Sequence, residues 1–226
     1  MAAWDLFVDN FANLESLARV YPLLLQGLWL TLLLALVAVP LAGMVGLAIA
    51  IAYSFHHRAL NAALLIYIDF FRSFPVLVLL VLVFFGLPFL GLTLGGFAAA
   101  IVALVLNNSG YYGEIFRAGI EAVPAGQRDA ARALGLTRWH TTFLVVLPQA
   151  LRNVIAPLAS NSLELVKTTA IASLVALPEL LRSARVALEQ TYNPTPLMAA
   201  GAIYFILLWP FARLVARLER RMLARG

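Results

Sequence analysis

The 226-residue sequence predicts an all-α, polytopic integral membrane protein with about five transmembrane helices, N-terminus outside and C-terminus inside. Hydrophobic residues make up 63% of the chain and charged residues 12%, more apolar surface than a soluble domain of this length can bury. No charged side chain occurs between Arg19 and Arg58, whereas a helix needs only about 20 apolar residues to cross a ~30 Å hydrocarbon core. The basic residues are also unevenly divided. With the N-terminus outside, ten fall on inner connections (Arg58, Arg117, Arg128, Arg132, Arg138, Arg213, Arg217, Arg220, Arg221 and Arg225) against four on outer ones (Arg19, Lys167, Arg182 and Arg185). Positively charged loops stay on the cytoplasmic side, so this orientation is the one predicted. The net charge of +5 follows from topology and contact with anionic lipid and does not call for a nucleic-acid partner.

The first span runs from about Tyr21 to Tyr53. It lacks the short apolar core and small-residue cleavage site of a secretory signal, so it reads as an uncleaved anchor. Residues 1–20 form an outer segment, and residues 21–226 a single membrane domain. Further spans are expected near Leu60–Phe85, Phe97–Phe116, Phe143–Val166 and Leu197–Leu218. In the second, Asp69 and Arg72 interrupt the apolar run, so Pro75–Leu94 is an alternative crossing with Leu60–Phe71 as an interfacial or kinked piece. Ala170–Leu181 is apolar but too short to cross, and reads as a partly embedded outer connection. Cysteine is absent, which excludes disulfides and thiolate metal sites.

Between the third and fourth spans, at about 118–147, lies a charged insert punctuated by glycine. Glu121 to Leu134 carries Gln127, Arg128, Asp129 and Arg132 among alanines, a composition that favours helix, with Pro124 near the first turn. Gly135 ends that helix. Helical character resumes from Trp139 to Leu147, and Pro148 marks the return into the membrane. Two short helices joined at a glycine make a compact bracket, on which Ala130, Ala131 and Ala133 leave room for another protein. An interfacial loop with arginines at lipid headgroups is the reading that composition alone supports.

Spacing favours the bracket. Asp129-Ala130-Ala131, three residues, Gly135, nine residues and Val145-Val146-Leu147-Pro148 resemble the motif of permease subunits of ATP-binding cassette importers: Glu-Ala-Ala, three residues, Gly, nine residues, Ile, one residue, Leu-Pro. Asp129 and Val145 are departures of like charge or shape. Arg72-Ser73-Phe74-Pro75, Phe84-Phe85-Gly86-Leu87-Pro88, Asn108-Ser109-Gly110-Tyr111, Glu114-Ile115-Phe116-Arg117 and Leu177-Pro178-Glu179-Leu180-Leu181 are similar to the polar amino-acid uptake branch. There the first of these is usually Arg-Gly-Thr-Pro, so Ser73 and Phe74 depart from it. The resemblance implies a type I importer permease, located in the bacterial inner membrane. It further implies a second permease subunit, identical or related, two cytoplasmic ATPase subunits and an external solute-binding protein. It assigns coupling to the ATPase to Glu121, Pro124, Gln127, Arg128, Asp129, Ala130, Ala131, Arg132, Gly135 and Trp139, and a gating or scaffold role to Arg72 and Pro75. The sequence holds no Gly-x-x-x-x-Gly-Lys-Ser/Thr phosphate loop, so ATP and Mg2+ belong to the partner ATPase and this chain carries no cofactor and is not itself an enzyme.

Polar residues inside spans are costly and call for a reason. Asn107, Tyr111 and Glu114 share one helical face, with Asn108 and Ser109 beside it. Asn153, Pro157, Asn161 and Glu164 make a second stripe next to Ser160. These stripes either line a path for a small polar or charged amino acid or serve as hydrogen-bond glue between helices. Glu164 suits a cationic side chain or an internal pair with Lys167, and Arg72 an i, i+3 pair with Asp69. His56, His57 and His140 read as headgroup-facing. A self-contained secondary transporter or channel would show inverted repeats or a mid-membrane coupling carboxylate, and an intramembrane enzyme a nucleophile or metal constellation; neither pattern stands out.

Overall fold

The computed structural model describes residues 7, 9–55 and 57–223, the last three without side-chain detail. His56, Arg225 and most of the first eight residues lie outside this range. All regular secondary structure among the described residues is helical, with α1 (Leu14–Tyr53), α2 (Arg58–Ser73), α3 (Val76–Val81), α4 (Gly96–Glu121), α5 (Ala125–Ala133), α6 (Leu147–Thr168), α7 (Leu180–Thr191) and α8 (Thr195–Leu223). A single turn, Arg138–His140, and the wider or tighter helical segments Leu82–Gly86, Leu87–Leu90, Thr141–Val146 and Thr169–Val175 join them.

Helix α1 starts at Asn13, whose side chain accepts the N–H of Ser16 at 2.9 Å, an N-cap that occupies one of the unpaired donors of a first turn. Its 40 residues make a rod about 60 Å long. Among the described residues three stretches are long and apolar enough to cross a membrane: Asp9–Tyr53, Arg138–Val175 and Thr195–Arg220. Arg58–Ser73 and Val76–Leu90 make a fourth only when taken together across a 98° bend. The expected straight span from Leu60 to Phe85 is therefore a broken one. Pro75 causes the break: it disfavours helix at the residue before it, and Phe74 sits extended at φ −83°, ψ 126°,. The alternative, Pro75–Leu94 as one crossing helix, is not formed either, because the chain turns at Gly91 with φ 81°.

The span expected at Phe97–Phe116 lies within α4, whose 26 residues cover about 39 Å. Asn107, Asn108, Ser109 and Glu114 dilute its apolar character, so it falls outside the set above. It is packed among other helices instead. Ala99, Ala100, Ala103, Leu104, Asn107, Asn108, Ser109 and Gly110 are all buried, and protein neighbours spare those polar groups from lipid.

Three interior clusters hold the bundle. The first joins Ala38, Ala42 and Ala50 of α1 to Leu104, Tyr112 and Phe116 of α4 and to Ala150, Val154 and Leu165 of α6. The second packs Leu34, Leu79, Leu80 and Val83 against Ala99, Ala100, Ala103, Ala172 and Val175. In the third, Val20 and Leu24 meet Leu180, Ala184, Ala187 and Ala200. Small residues set the helix spacing: a Cβ on Gly46 would sit 2.5 Å from Tyr112 Cβ and 2.7 Å from Gly113 N, so only glycine lets α1 and α4 approach this closely.

Helix α7 is not predicted from the sequence. Its buried face is Leu180, Ser183, Ala184 and Ala187, a helical stripe made largely of small residues, which composition does not distinguish from a loop. The connection expected at Ala170–Leu181 is accordingly shorter: Thr169–Val175 form a tight helical segment ending at Ala176 in the left-handed region, φ 55°.

Candidate functional site: the bracket and the polar helices

The bracket forms because its ends are specified locally. Pro124 is the N-cap of α5 (φ −52°, ψ 137°), and the helix runs Ala125–Ala133, stopping one residue before Leu134 and starting four after Glu121, which is the last residue of α4. Gly135 adopts φ 81°. Its N–H bonds the Arg132 carbonyl at 2.9 Å and that of Leu136 bonds Ala131 at 3.1 Å, the paired 5→2 and 6→1 bonds of a Schellman stop. That geometry needs a residue tolerant of positive φ, which is the physical content of the glycine four places beyond Ala131. Ala131 is buried, whereas Gln127, Asp129, Ala130 and Arg132 are exposed. Thr137 then caps the next turn through the N–H of His140 at 3.3 Å. The expected helix at Trp139–Leu147 is a single turn, Arg138–His140, followed by the wide segment Thr141–Val146. Trp139 stacks on Phe143 (5.5 Å, 7°) and tilts against Phe55 at 4.6 Å, which fastens the bracket to the end of α1.

A cavity of about 420 Å3 lies behind the bracket, between it and the ends of α1 and α4. Arg117 closes one wall: it donates to Glu114 at 2.6 Å and to Glu121 at 2.7 Å and lies 5.5 Å over the Tyr53 ring. Arg128 donates to the Ile120 carbonyl at 2.5 Å, which ties α5 to the last turn of α4.

The structure gives many of the polar residues of α4 a partner inside the bundle. Asn107 Nδ2 donates to the carbonyls of Phe71 at 2.7 Å and Phe74 at 3.1 Å, and so covers the open carbonyls at the end of α2 just where the chain bends. Asn108 Nδ2 donates to Leu104. Ser109 Oγ meets the Tyr67 hydroxyl at 2.7 Å, and the Tyr111 hydroxyl donates to the Arg72 carbonyl at 3.1 Å. The expected pair between Arg72 and Asp69 is not formed; the Arg72 guanidinium lies over the Tyr111 ring, 5.4 Å from its centre. Pro75 is the N-cap of α3. On α6, Lys167 Nζ pairs with Glu164 at 2.6 Å, both side chains partly exposed, while Ser160 and Asn161 are half-buried. Asn161 Nδ2 is buried with no hydrogen-bond partner among the described residues.

Sequence reasoning assigned no chemistry to Glu179, which is fully buried. Its carboxylate caps α7 by accepting the N–H groups of Leu181 at 2.9 Å and Arg182 at 2.7 Å, and it accepts the Tyr204 hydroxyl at 3.1 Å. Burial pushes its pKa up, partly offset by these donors,. Beside it Thr31 Oγ1 accepts the N–H of Leu180 at 3.0 Å. One buried node thus joins α1, α7 and α8.

Residues 42–224 match the family model described as the inner membrane component of binding-protein-dependent transport systems. The chain belongs to that family. Such a permease is the transmembrane part of an importer whose ATPase is a separate subunit and which works with a solute-binding protein. The permease is 34% identical over 214 residues to the arginine transport system permease protein ArtQ of Bacillus subtilis, covering 93% of this chain and 98% of that one. It is 30% identical over 204 residues to the glutamine transport system permease protein GlnP of Escherichia coli, covering 89% and 93%. A solved amino acid ABC transporter with histidines has a chain of 35% identity that superposes with a TM-score of 0.82, over 92% of this chain and 97% of that one. The inward-facing MetNI methionine ABC transporter, at 23% identity and a TM-score of 0.71, shares the fold over 88% and 96%.

Proposed function

We propose that this permease is half of the membrane pathway of an importer for polar or charged amino acids, assembled from two permease subunits, identical or related, and two ATPase subunits. Its relatives named for arginine and glutamine transport align along nearly their whole lengths, and that similarity carries the substrate class. The exposed face of α5, Gln127, Asp129, Ala130 and Arg132, would seat in an ATPase subunit on the cytoplasmic side. Closure of the ATPase pair would then move the bracket as a rigid body and tilt α4 and α6 between inward-open and outward-open states. The Schellman stop and the aromatic stack at Trp139 support this, because a lever must not flex at its corner.

Along the substrate path, Asn161 and Ser160, half-buried on α6, are the α6 candidates; Glu164 and Glu114, at the ends of the two stripes, are held by Lys167 and Arg117. The deciding experiment reconstitutes the permease with its ATPase and binding protein in liposomes and measures ATP-dependent uptake of labelled arginine, histidine, glutamine and glutamate. Uptake of at least one that stops without ATP is expected. Uptake by the permease alone would instead point to a self-contained transporter.

A further inference from the structure

Helix α7 lies at the end of the bundle opposite the bracket. The bracket is fastened to Phe55, just past the end of α1, whereas α7 packs on Val20 and Leu24 near the start of α1, and the 22 residues of α6 separate the two by about 33 Å. Both ends of α7 are left-handed corners. Ala176 before it (φ 55°) and Tyr192 at its close (φ 50°) are the non-glycine residues with positive φ among the described residues, a conformation that crowds the Cβ and that bulky side chains adopt least. Hydrogen bonds hold the second corner: the Tyr192 N–H donates to the Leu188 carbonyl at 2.8 Å, Asn193 Nδ2 to the Asp9 carbonyl at 2.7 Å and the Thr195 N–H to Asn193 Oδ1 at 2.9 Å. The corner turns the Tyr192 side chain out, 93% exposed, one turn beyond Glu189 and two beyond Arg185, both exposed as well.

We propose that this face of α7, with Tyr192 as its anchor, docks the solute-binding protein on which transport by this family depends. The inference rests on the bracket being the cytoplasmic side, which puts α7 outside. The turn before α4 reaches the same end of the bundle, but it exposes Phe89, Leu90 and Leu92 without a charged side chain, a composition suited to lipid. The α7 face instead sets a phenol beside charges of both signs, a composition suited to water and to a protein partner. Tyrosine brings a large, rigid contact area with a polar tip, which is why it recurs where interfaces are anchored. The matching surface on the binding protein is a pocket for the ring, with an acidic group for Arg185 and a basic one for Glu189.

The test uses the permease assembled with its ATPase in nanodiscs, titrated with its solute-binding protein in saturating arginine, histidine, glutamine or glutamate in turn, and follows ATP hydrolysis. Tyr192→Gly removes the ring and suits φ 50°, and Glu189→Lys reverses an exposed charge, so both should unfold at temperatures no lower than wild type. Each is expected to raise the half-stimulating concentration of binding protein roughly tenfold and to leave the basal rate unchanged, while Phe89→Ser alters neither. Half-stimulating concentrations equal to wild type in both α7 variants would overturn the docking site and leave the bracket's role standing. No stimulation of wild type under any of the four conditions would remove the importer reading itself, and this inference with it. Native mass spectrometry checks the other occupant: loss of the second permease copy in Tyr192→Gly would show that this face joins two copies of the chain, and would overturn the proposal.

Discussion

The hydroxyl of Tyr204 donates to the buried carboxylate of Glu179 at 3.1 Å, across 25 residues and between two helices that otherwise meet through alanines and leucines. A carboxylate without water relies on each of its donors. Tyr204→Phe should cost about 1–3 kcal/mol, read as a lower unfolding temperature of the purified permease. An unaltered unfolding temperature would mean that the bond contributes nothing.

The same node predicts a pH dependence. Because burial lifts the Glu179 pKa above its ordinary value, there is a window above that ordinary value in which the native chain holds a proton that the unfolded chain has released. This residue's contribution to stability therefore falls as pH rises through the window and is flat above it. Glu179→Gln, neutral at every pH, should remove that part of the slope in thermal unfolding measured from mildly acidic to neutral pH. If the slope persists in the variant, another group is responsible.

Gly135→Ala should cost about 1–2 kcal/mol, since φ 81° crowds a Cβ against the following carbonyl. Gly135→Pro is more severe: proline fixes φ near −65° and deletes the N–H that closes on Arg132,. It should abolish ATP-dependent uptake while leaving the amount of protein in the membrane fraction unchanged, as should Ala131→Asp at the buried face of α5. Normal uptake in these variants would remove the bracket from the mechanism.

Gly43 and Gly46 lie one turn apart on α1 and should behave differently. A Cβ on Gly46 would collide with Tyr112 and Gly113, while Gly43 has open space. Gly46→Ala should destabilise by about 1–3 kcal/mol and Gly43→Ala by none, in the same thermal assay. Equal effects would show that α1 and α4 do not pack as closely as described.

Asn107→Leu keeps the bulk but leaves the Phe71 and Phe74 carbonyls without their donor. Loss of stability of about 1–3 kcal/mol for each group left unsatisfied is expected, together with faster proteolysis at the bend near Ser73. A variant as stable and as protease-resistant as wild type would show that the bend holds without it.

Features governed by local chemistry were legible from the residues in order. The bracket followed from Pro124, the alanine run and Gly135, and the Glu164–Lys167 pair from i, i+3 spacing. What depended on distant partners was not. Asn107 reads equally well as path lining or as glue until the end of α2 arrives opposite it. Arg72 was expected to pair with nearby Asp69, yet a tyrosine 39 residues away offers its ring. Helix α7 escaped notice because its inward face is serine and alanine, and Glu179 because a carboxylate next to a proline looks like a turn at the surface. The straight second span failed for a reason already written in the sequence, Pro75, whose effect on Phe74 outweighed the apolar run around it.

Helix α1 contributes Val20 and Leu24 to one interior cluster, Leu34 to a second and Ala38, Ala42 and Ala50 to the third. At about twice the ~30 Å of a hydrocarbon core, it is longer than a crossing requires. It acts as a keel: all three clusters are fastened to this one beam, whose far tip is tied back by the Asn13 N–H donating to the Thr195 hydroxyl at 3.0 Å.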